Sequence, residues 1–143
     1  MATLAHYEGG SGYLVDSNVW IDCMDSASPR HDWAIDQLQA FSELGSLHVN
    51  ALIYAELVVP GTAPAALDAM LDIFTTLRSA LPWASAALAA QAFQLYRARG
   101  GTKIAPLPDF FIEAHAAVNN LTMVSRDTKP YRSYFGKLRV IAA

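Results

Sequence analysis

Four acidic side chains stand in segments otherwise suited to burial or regular structure: Asp16 directly after Leu14-Val15, Glu56 within Ile53-Tyr54-Ala55-Glu56-Leu57, Asp109 before Phe110-Phe111-Ile112, and Asp127 after Met123-Val124-Ser125-Arg126. Carboxylates are rarely placed where water is scarce unless they are paired or bind a cation. Taken singly, each has an ordinary role: Asp16 and Asp109 as helix caps, Glu56 as a surface residue of an amphipathic helix, Asp127 as a turn residue. Taken together they are a set of hard oxygen donors, which suits Mg²⁺ or Mn²⁺ and requires neither Cys nor His. Such ions orient and acidify a water and stabilise charge on a leaving oxygen, the chemistry of phosphodiester hydrolysis.

That chemistry requires distant segments to converge, and the elements predicted around the acids are of the kind that would bring them together. Tyr13-Leu14-Val15 is a short continuous apolar run, the pattern of a strand buried on both faces, and Ser17 opens a helix that Ser28-Pro29 ends. A second helix is predicted over Asp32–Leu44, closed by Gly45, then a strand at Leu47-His48-Val49. Helices follow at Ala51–Val59, carrying Glu56, and at Ala63–Leu77, where Leu67, Met70, Leu71 and Phe74 keep the i, i+3, i+4, i+7 spacing. A brief strand is expected near Ala80–Trp83. Ser85–Arg99 and Pro108–Asn119 read as further helices, with Pro108 at the first helical position and Asp109 in the first turn. Leu121–Val124 and Leu138–Ile141 are short β-rich runs. Alternation of this kind predicts an α/β/α sandwich around a mainly parallel sheet, whose sites form at the carboxyl ends of the strands. Asp16 and Asp127 both follow such ends.

The chain has 143 residues and 53% hydrophobic content, enough for one domain, expected over residues 13–143 after a flexible Gly/Ser-rich leader, residues 1–12. The lone cysteine, Cys23, cannot form an internal disulfide and reads as a small helix filler, which fits a reducing cytoplasm. The first twelve residues contain neither Lys nor Arg and no apolar run, so no targeting peptide is expected there. The richest apolar stretch, Leu81–Phe93, is too short to span a membrane, so no membrane partner is expected. The net charge of −3 conceals a division: residues 1–96 hold ten acids and two bases, while residues 97–143 hold eight bases and three acids. The basic third suits phosphate contact, and equally a solvated basic face. Arg126 is the first candidate for a phosphate contact because it adjoins Asp127, followed by Lys129 and Arg132 on the same loop.

At these residues the sequence resembles the PIN-domain family, and within it the VapC-like toxins of toxin-antitoxin pairs. Leu14-Val15-Asp16-Ser17-Asn18-Val19-Trp20-Ile21-Asp22 is similar to the family's first motif, Tyr54-Ala55-Glu56-Leu57 to the second, Pro108 to Ala116 to the third and Ser125-Arg126-Asp127 to the fourth. The separations between the acids, 40, 53 and 18 residues, also match. The resemblance implies a Mg²⁺-dependent endoribonuclease, with Mn²⁺ able to substitute, in which Asp16, Glu56, Asp109 and Asp127 bind metal and carry catalysis. Ser17, Asn18 and Ser125 would be supporting polar residues. It further implies an RNA substrate, a cognate antitoxin whose amphipathic segment lies beside the acids, and a homodimer. Val58, Val59, Met70, Ile73 and Phe74 offer more apolar surface than so small a core needs, so part of it is expected to face another chain.

The chain departs from the family's pattern at the bulky pair Phe110-Phe111, and Glu113, one turn after Asp109, reads either as an extra ligand or as solvent-facing. His115 reads as packed or exposed rather than as a general base, and Trp20, Trp33 and Trp83 as core or interface residues rather than base-stacking platforms. Two alternatives compete. A phospho-acceptor receiver domain would need paired acids after its first strand. A catalytically silent PIN-like binding module is disfavoured by the intact acid set.

Overall fold

The computed structural model describes residues 12–104, 107–126, 134–135 and 138–142. The predicted leader, save Gly12, and Asp127, Lys129 and Arg132 lie outside the described residues. Five parallel strands form one sheet in the order β3-β2-β1-β4-β5: β1 (Tyr13–Val15), β2 (Leu47–Val49), β3 (Leu77–Arg78), β4 (Thr122–Ser125) and β5 (Val140–Ala142). The described helices are α1 (Ser17–Met24), α2 (His31–Leu44), α3 (Ala51–Leu57), α4 (Pro64–Ile73), α5 (Trp83–Ala98) and α6 (Pro108–Val118). This is the expected α/β/α architecture with a parallel central sheet. Receiver-type folds order their strands 2-1-3-4-5, so the observed order removes that alternative.

The central strands are buried along their length, as continuous apolar runs in a covered parallel sheet must be. Tyr13, Leu14, Val15, Met123 and Val124 are all buried, with Leu38, Ile53, Leu67 and Leu71 from the helices packed into the same core. Gly12 sets the entry to β1. Its φ of +138° and the Ser46 carbonyl beside the position of a Cβ leave room only for glycine, while its own carbonyl accepts from Thr122 N at 3.0 Å. A second cluster joins α5 to α6 through Ala89, Ala92, Phe110, Ala114 and Phe135.

Two local expectations are corrected. Helix α4 ends at Ile73 rather than Leu77, and the strand expected at Ala80–Trp83 lies instead at Leu77–Arg78. The β-branched pair Thr75-Thr76 weakens the helix, Thr75 turns left-handed at φ +50°, and pairing His48↔Leu77 and Val49↔Arg78 satisfies the free edge of β2. Trp83 begins α5 and is 93% exposed, so it is not a core residue, whereas Trp20 is fully buried and Trp33 packs partly against the core. Of the apolar residues offered to another chain, Phe74 belongs to the core, buried 6.1 Å from the Trp20 ring, while Val58, Val59 and Ile73 are exposed. Among the described residues no helix is long and apolar enough to cross a membrane.

Candidate functional site

The strand order reverses direction between β1 and β4, the crevice where open parallel sheets place their ligands. Asp16 follows β1 there and Ser125 ends β4, in register with their neighbours through Val15↔Val124. Asp16 has extended backbone and caps α1: its Oδ1 accepts from Ser17 N at 2.9 Å. Its Oδ2 accepts from the Ser125 hydroxyl at 3.0 Å, and Ser125 Oγ in turn accepts from Asn18 Nδ2 at 3.1 Å. Asn18 Oδ1 takes the Arg126 backbone N–H at 3.0 Å. Asp16, Asn18 and Ser125 are buried, so the carboxylate is held in one orientation at the floor of the crevice.

Glu56 approaches from α3. The Ser17 hydroxyl donates to its Oε2 at 3.5 Å, a long contact that nevertheless places the second acid beside the first turn of α1. Glu56 is exposed rather than buried, because Ile53 and Leu57 take the core-facing stripe of α3 and leave it on a flank. Asp109 is half-buried in the first turn of α6. Glu113 is buried, not solvent-facing. Among the described residues no three His, Cys, Asp or Glu side chains are arranged to hold a metal ion. What the described site offers is a pre-oriented carboxylate with a second one at its rim, a donor set suited to a hard divalent cation.

Arg126 is drawn into this framework. Its Nε lies 3.4 Å from Asp22 Oδ2, and Asp22, buried on α1, also accepts from the Ser28 hydroxyl at 2.9 Å. The guanidinium expected to meet phosphate is thus ion-paired on one edge, with about a third of the side chain exposed. Asp22 was not singled out by its sequence context. The available signal is its i, i+4 spacing from Asn18, which puts two polar groups on the face of α1 turned to β4.

A second buried polar pair underlies α3. Asn50 caps that helix, its Oδ1 accepting from Ile53 N at 2.9 Å, which turns its amide nitrogen toward His115 Nδ1 at 3.0 Å. The Asn50 amide must donate, so His115 Nδ1 carries the lone pair and the imidazole is neutral with its proton on Nε2. His115 is therefore packed. Burial, with a smaller repulsion from His48, holds its pKa below the usual imidazole range. Above the ordinary histidine pKa, about 6.5, folded and unfolded chains are both neutral at this group. As pH falls below that value the unfolded chain takes up the proton first, so stability is lost until the folded-state pKa is reached. The melting temperature should accordingly fall between pH 7 and 5.5, and His115→Gln should flatten that slope; an unchanged slope in the variant would refute the assignment. Burial likewise raises the Cys23 thiol above its usual range, in keeping with a filler and not a nucleophile.

A family model described as PIN domain matches residues 13–136. Among solved structures, the chain is similar to VapBC2 from Rickettsia felis bound to a DNA fragment from its promoter, at 17% identity and a TM-score of 0.72, covering 92% of this chain and 98% of that one. It is similar to FitAcB from Neisseria gonorrhoeae at 20% identity and a TM-score of 0.62, covering 90% and 96%. It is also similar to VapC20 from Mycobacterium tuberculosis, a sarcin-ricin loop cleaving toxin, at 15% identity and a TM-score of 0.57, covering 90% and 99%. At these identities the likeness is one of fold. No curated protein sequence matches the chain.

Proposed function

Since the chain belongs to the PIN-domain family, we propose that it is a nuclease toxin of a toxin-antitoxin pair, an endoribonuclease that hydrolyses RNA phosphodiester bonds with Mg²⁺ or Mn²⁺. The observation that carries this reading is the buried Asp16 carboxylate, fixed by Ser17 N–H and the Ser125 hydroxyl at the switch point of the sheet, with Glu56 brought to the same helix turn. Asp16, Glu56, Asp109 and Asp127 would hold the ion. When bound, it supplies Lewis-acid stabilisation of charge on the phosphodiester and acidifies the attacking water. The protein's own part is orientation. Ser125 and Asn18 lock the Asp16 carboxylate, Ser17 faces Glu56 across a long contact, and Asp22 pairs with Arg126 at the rim. Arg126, Lys129 and Arg132 would draw the RNA backbone toward the acids. The family resemblance and the neighbouring toxin-antitoxin complexes support an antitoxin partner and a homodimer. A groove of about 440 Å³ beside Met24, Leu67 and Met70 fits an amphipathic segment, and Val58, Val59 and Ile73 remain exposed among the apolar residues offered to another chain.

The test is incubation of purified protein with a structured RNA. Cleavage in Mg²⁺ or Mn²⁺ that stops in EDTA is expected, and cleavage undiminished by EDTA would overturn the metal mechanism. Binding of the ion should also stabilise the fold by about 2.7 kcal/mol at one hundred times its Kd. For a chain of this length that is a rise of about 5–10 °C in Tm. Thermal denaturation with and without millimolar Mn²⁺ measures it, and an indifferent Tm would count against the site.

A further inference from the structure

Next to the acids, on the same edge of the sheet, lies a cavity of about 310 Å³ between the carboxyl ends of β2 and β3 and the first turns of α3. Its walls include Val49, Asn50, Tyr54, Arg78 and Ser79. We propose that this cavity is a nucleobase subsite, which takes one unpaired base of the RNA adjacent to the scissile phosphate; the inference rests on the nuclease reading above.

The pairing Leu14↔His48 continues to Asp16 beside Asn50, and Val49↔Arg78 continues to Ser79 beside Asn50, with Ser79 N donating to Val49 O at 2.8 Å. Neighbouring strands are about 4.8 Å apart, so the rim of the cavity lies roughly 5–10 Å from the Asp16 backbone along the sheet edge. Helix α3 connects the two places. At about 100° per residue, Tyr54 and Glu56 fall on opposite flanks of the buried Ile53–Leu57 stripe. One flank serves the acids and the other lines the cavity.

Unpaired bases are held by stacking on aromatic rings or guanidinium planes and by hydrogen bonds to their edges. The cavity presents both kinds of plane already ordered: the Arg78 guanidinium sits over the Tyr54 ring at 5.3 Å from its centroid. Both are pinned by Asp68, which accepts from the Tyr54 hydroxyl at 2.7 Å and from Arg78 Nη2 at 2.6 Å. The bond to Asp68 raises the Tyr54 pKa, so the phenol keeps its proton and stays a donor. Edge atoms of both groups are thus held by Asp68 and one face of each is turned to the other, so the pair needs no ordering when a base arrives on a remaining face. Beneath them, Ser79 Oγ is fixed by His48 Nδ1 at 2.6 Å, giving a polar floor for a base edge. The volume falls at the small end of ligand pockets, in keeping with one base and not a whole nucleotide chain.

The experiment uses Asp16→Asn protein, which should bind without cutting, and a set of short single-stranded RNAs, identical except for one abasic position moved along the chain. Affinity is read by fluorescence anisotropy, beside the wild-type cleavage assay. One abasic position is expected to weaken binding roughly tenfold, the loss of one stacked base. In the double variant Asp16→Asn with Tyr54→Ala that position should matter no more than the others. Arg78→Lys, which keeps the charge and loses the plane, should behave in the same way as Tyr54→Ala. Equal affinities at every abasic position, with wild-type cleavage intact, would overturn the subsite while sparing the nuclease. Absence of wild-type RNA cleavage would remove both. If Tyr54→Ala spares RNA binding but releases a coexpressed antitoxin, the cavity is a protein-docking site and the proposal fails.

Discussion

Asp16→Asn is expected to reduce RNA cleavage by roughly 10²- to 10³-fold and to leave the protein folded, since a cation site of this kind contributes several kcal/mol of charge stabilisation in the transition state. The substitution is nearly isosteric. Asn is as good a helix cap as Asp, so the bond from Ser17 N to the side-chain oxygen survives and α1 keeps its first turn. The cost falls on the other oxygen: an amide nitrogen in place of Oδ2 meets the Ser125 hydroxyl as a second donor, and Ser125 must turn its proton elsewhere. That loss is about 1 kcal/mol, visible as a shift of a few degrees in Tm. Activity and stability are thereby separated, and a control such as Glu43→Gln, an exposed acid on α2, should change neither. Full activity in Asp16→Asn would exclude the crevice between β1 and β4 as the reaction centre.

The largest loss of stability is expected from Phe110→Ala, at about 3–5 kcal/mol, the range for deleting a buried aromatic ring. Phe110 is fully buried, with ring centroids of Phe93, Tyr96, Tyr134 and Phe135 at 5.9, 5.7, 6.1 and 6.3 Å. It is the hub of the second hydrophobic cluster, which joins α5 to α6. With total stabilities of about 5–15 kcal/mol, this is a large fraction of the whole. Because Asp109 precedes Phe110 in the first turn of α6, loosening this cluster should also disturb the third acid and lower cleavage. Urea denaturation followed by circular dichroism measures the stability change. Phe111→Ala, removing a ring only partly buried against the same cluster, should cost less; equal costs would refute the hub assignment.

Much of the frame was readable from local pattern because local pattern caused it. Strands β1, β2 and β4 are continuous apolar runs since the parallel sheet is covered on both faces, and Asp16 stands where a strand meets a helix and a cap is needed. The position of strand β3 is not legible in the sequence because two residues carry no periodicity; the free edge of β2 selects Leu77–Arg78. Trp83 is legible only as core or interface, since an apolar residue at the start of a helix looks the same whether or not the rest of the chain covers it; its exposure leaves the interface reading. The pairs Asp22–Arg126 and Asn50–His115 join segments more than sixty residues apart, and neither partner betrays the other in sequence. Glu56 was readable as an acid in an apolar segment, but its exposure depends on which stripe of a two-turn helix meets the core.

The central claim, that these carboxylates form a cation-dependent RNA-cleaving centre, is tested most directly by the rate of RNA cleavage measured against free Mn²⁺ on one protein preparation. No cleavage is expected in EDTA, with a saturable rise in Mn²⁺ whose midpoint matches that of the Mn²⁺-dependent rise in Tm and which is absent from Asp16→Asn. A rate that does not change from EDTA to millimolar Mn²⁺ would contradict it.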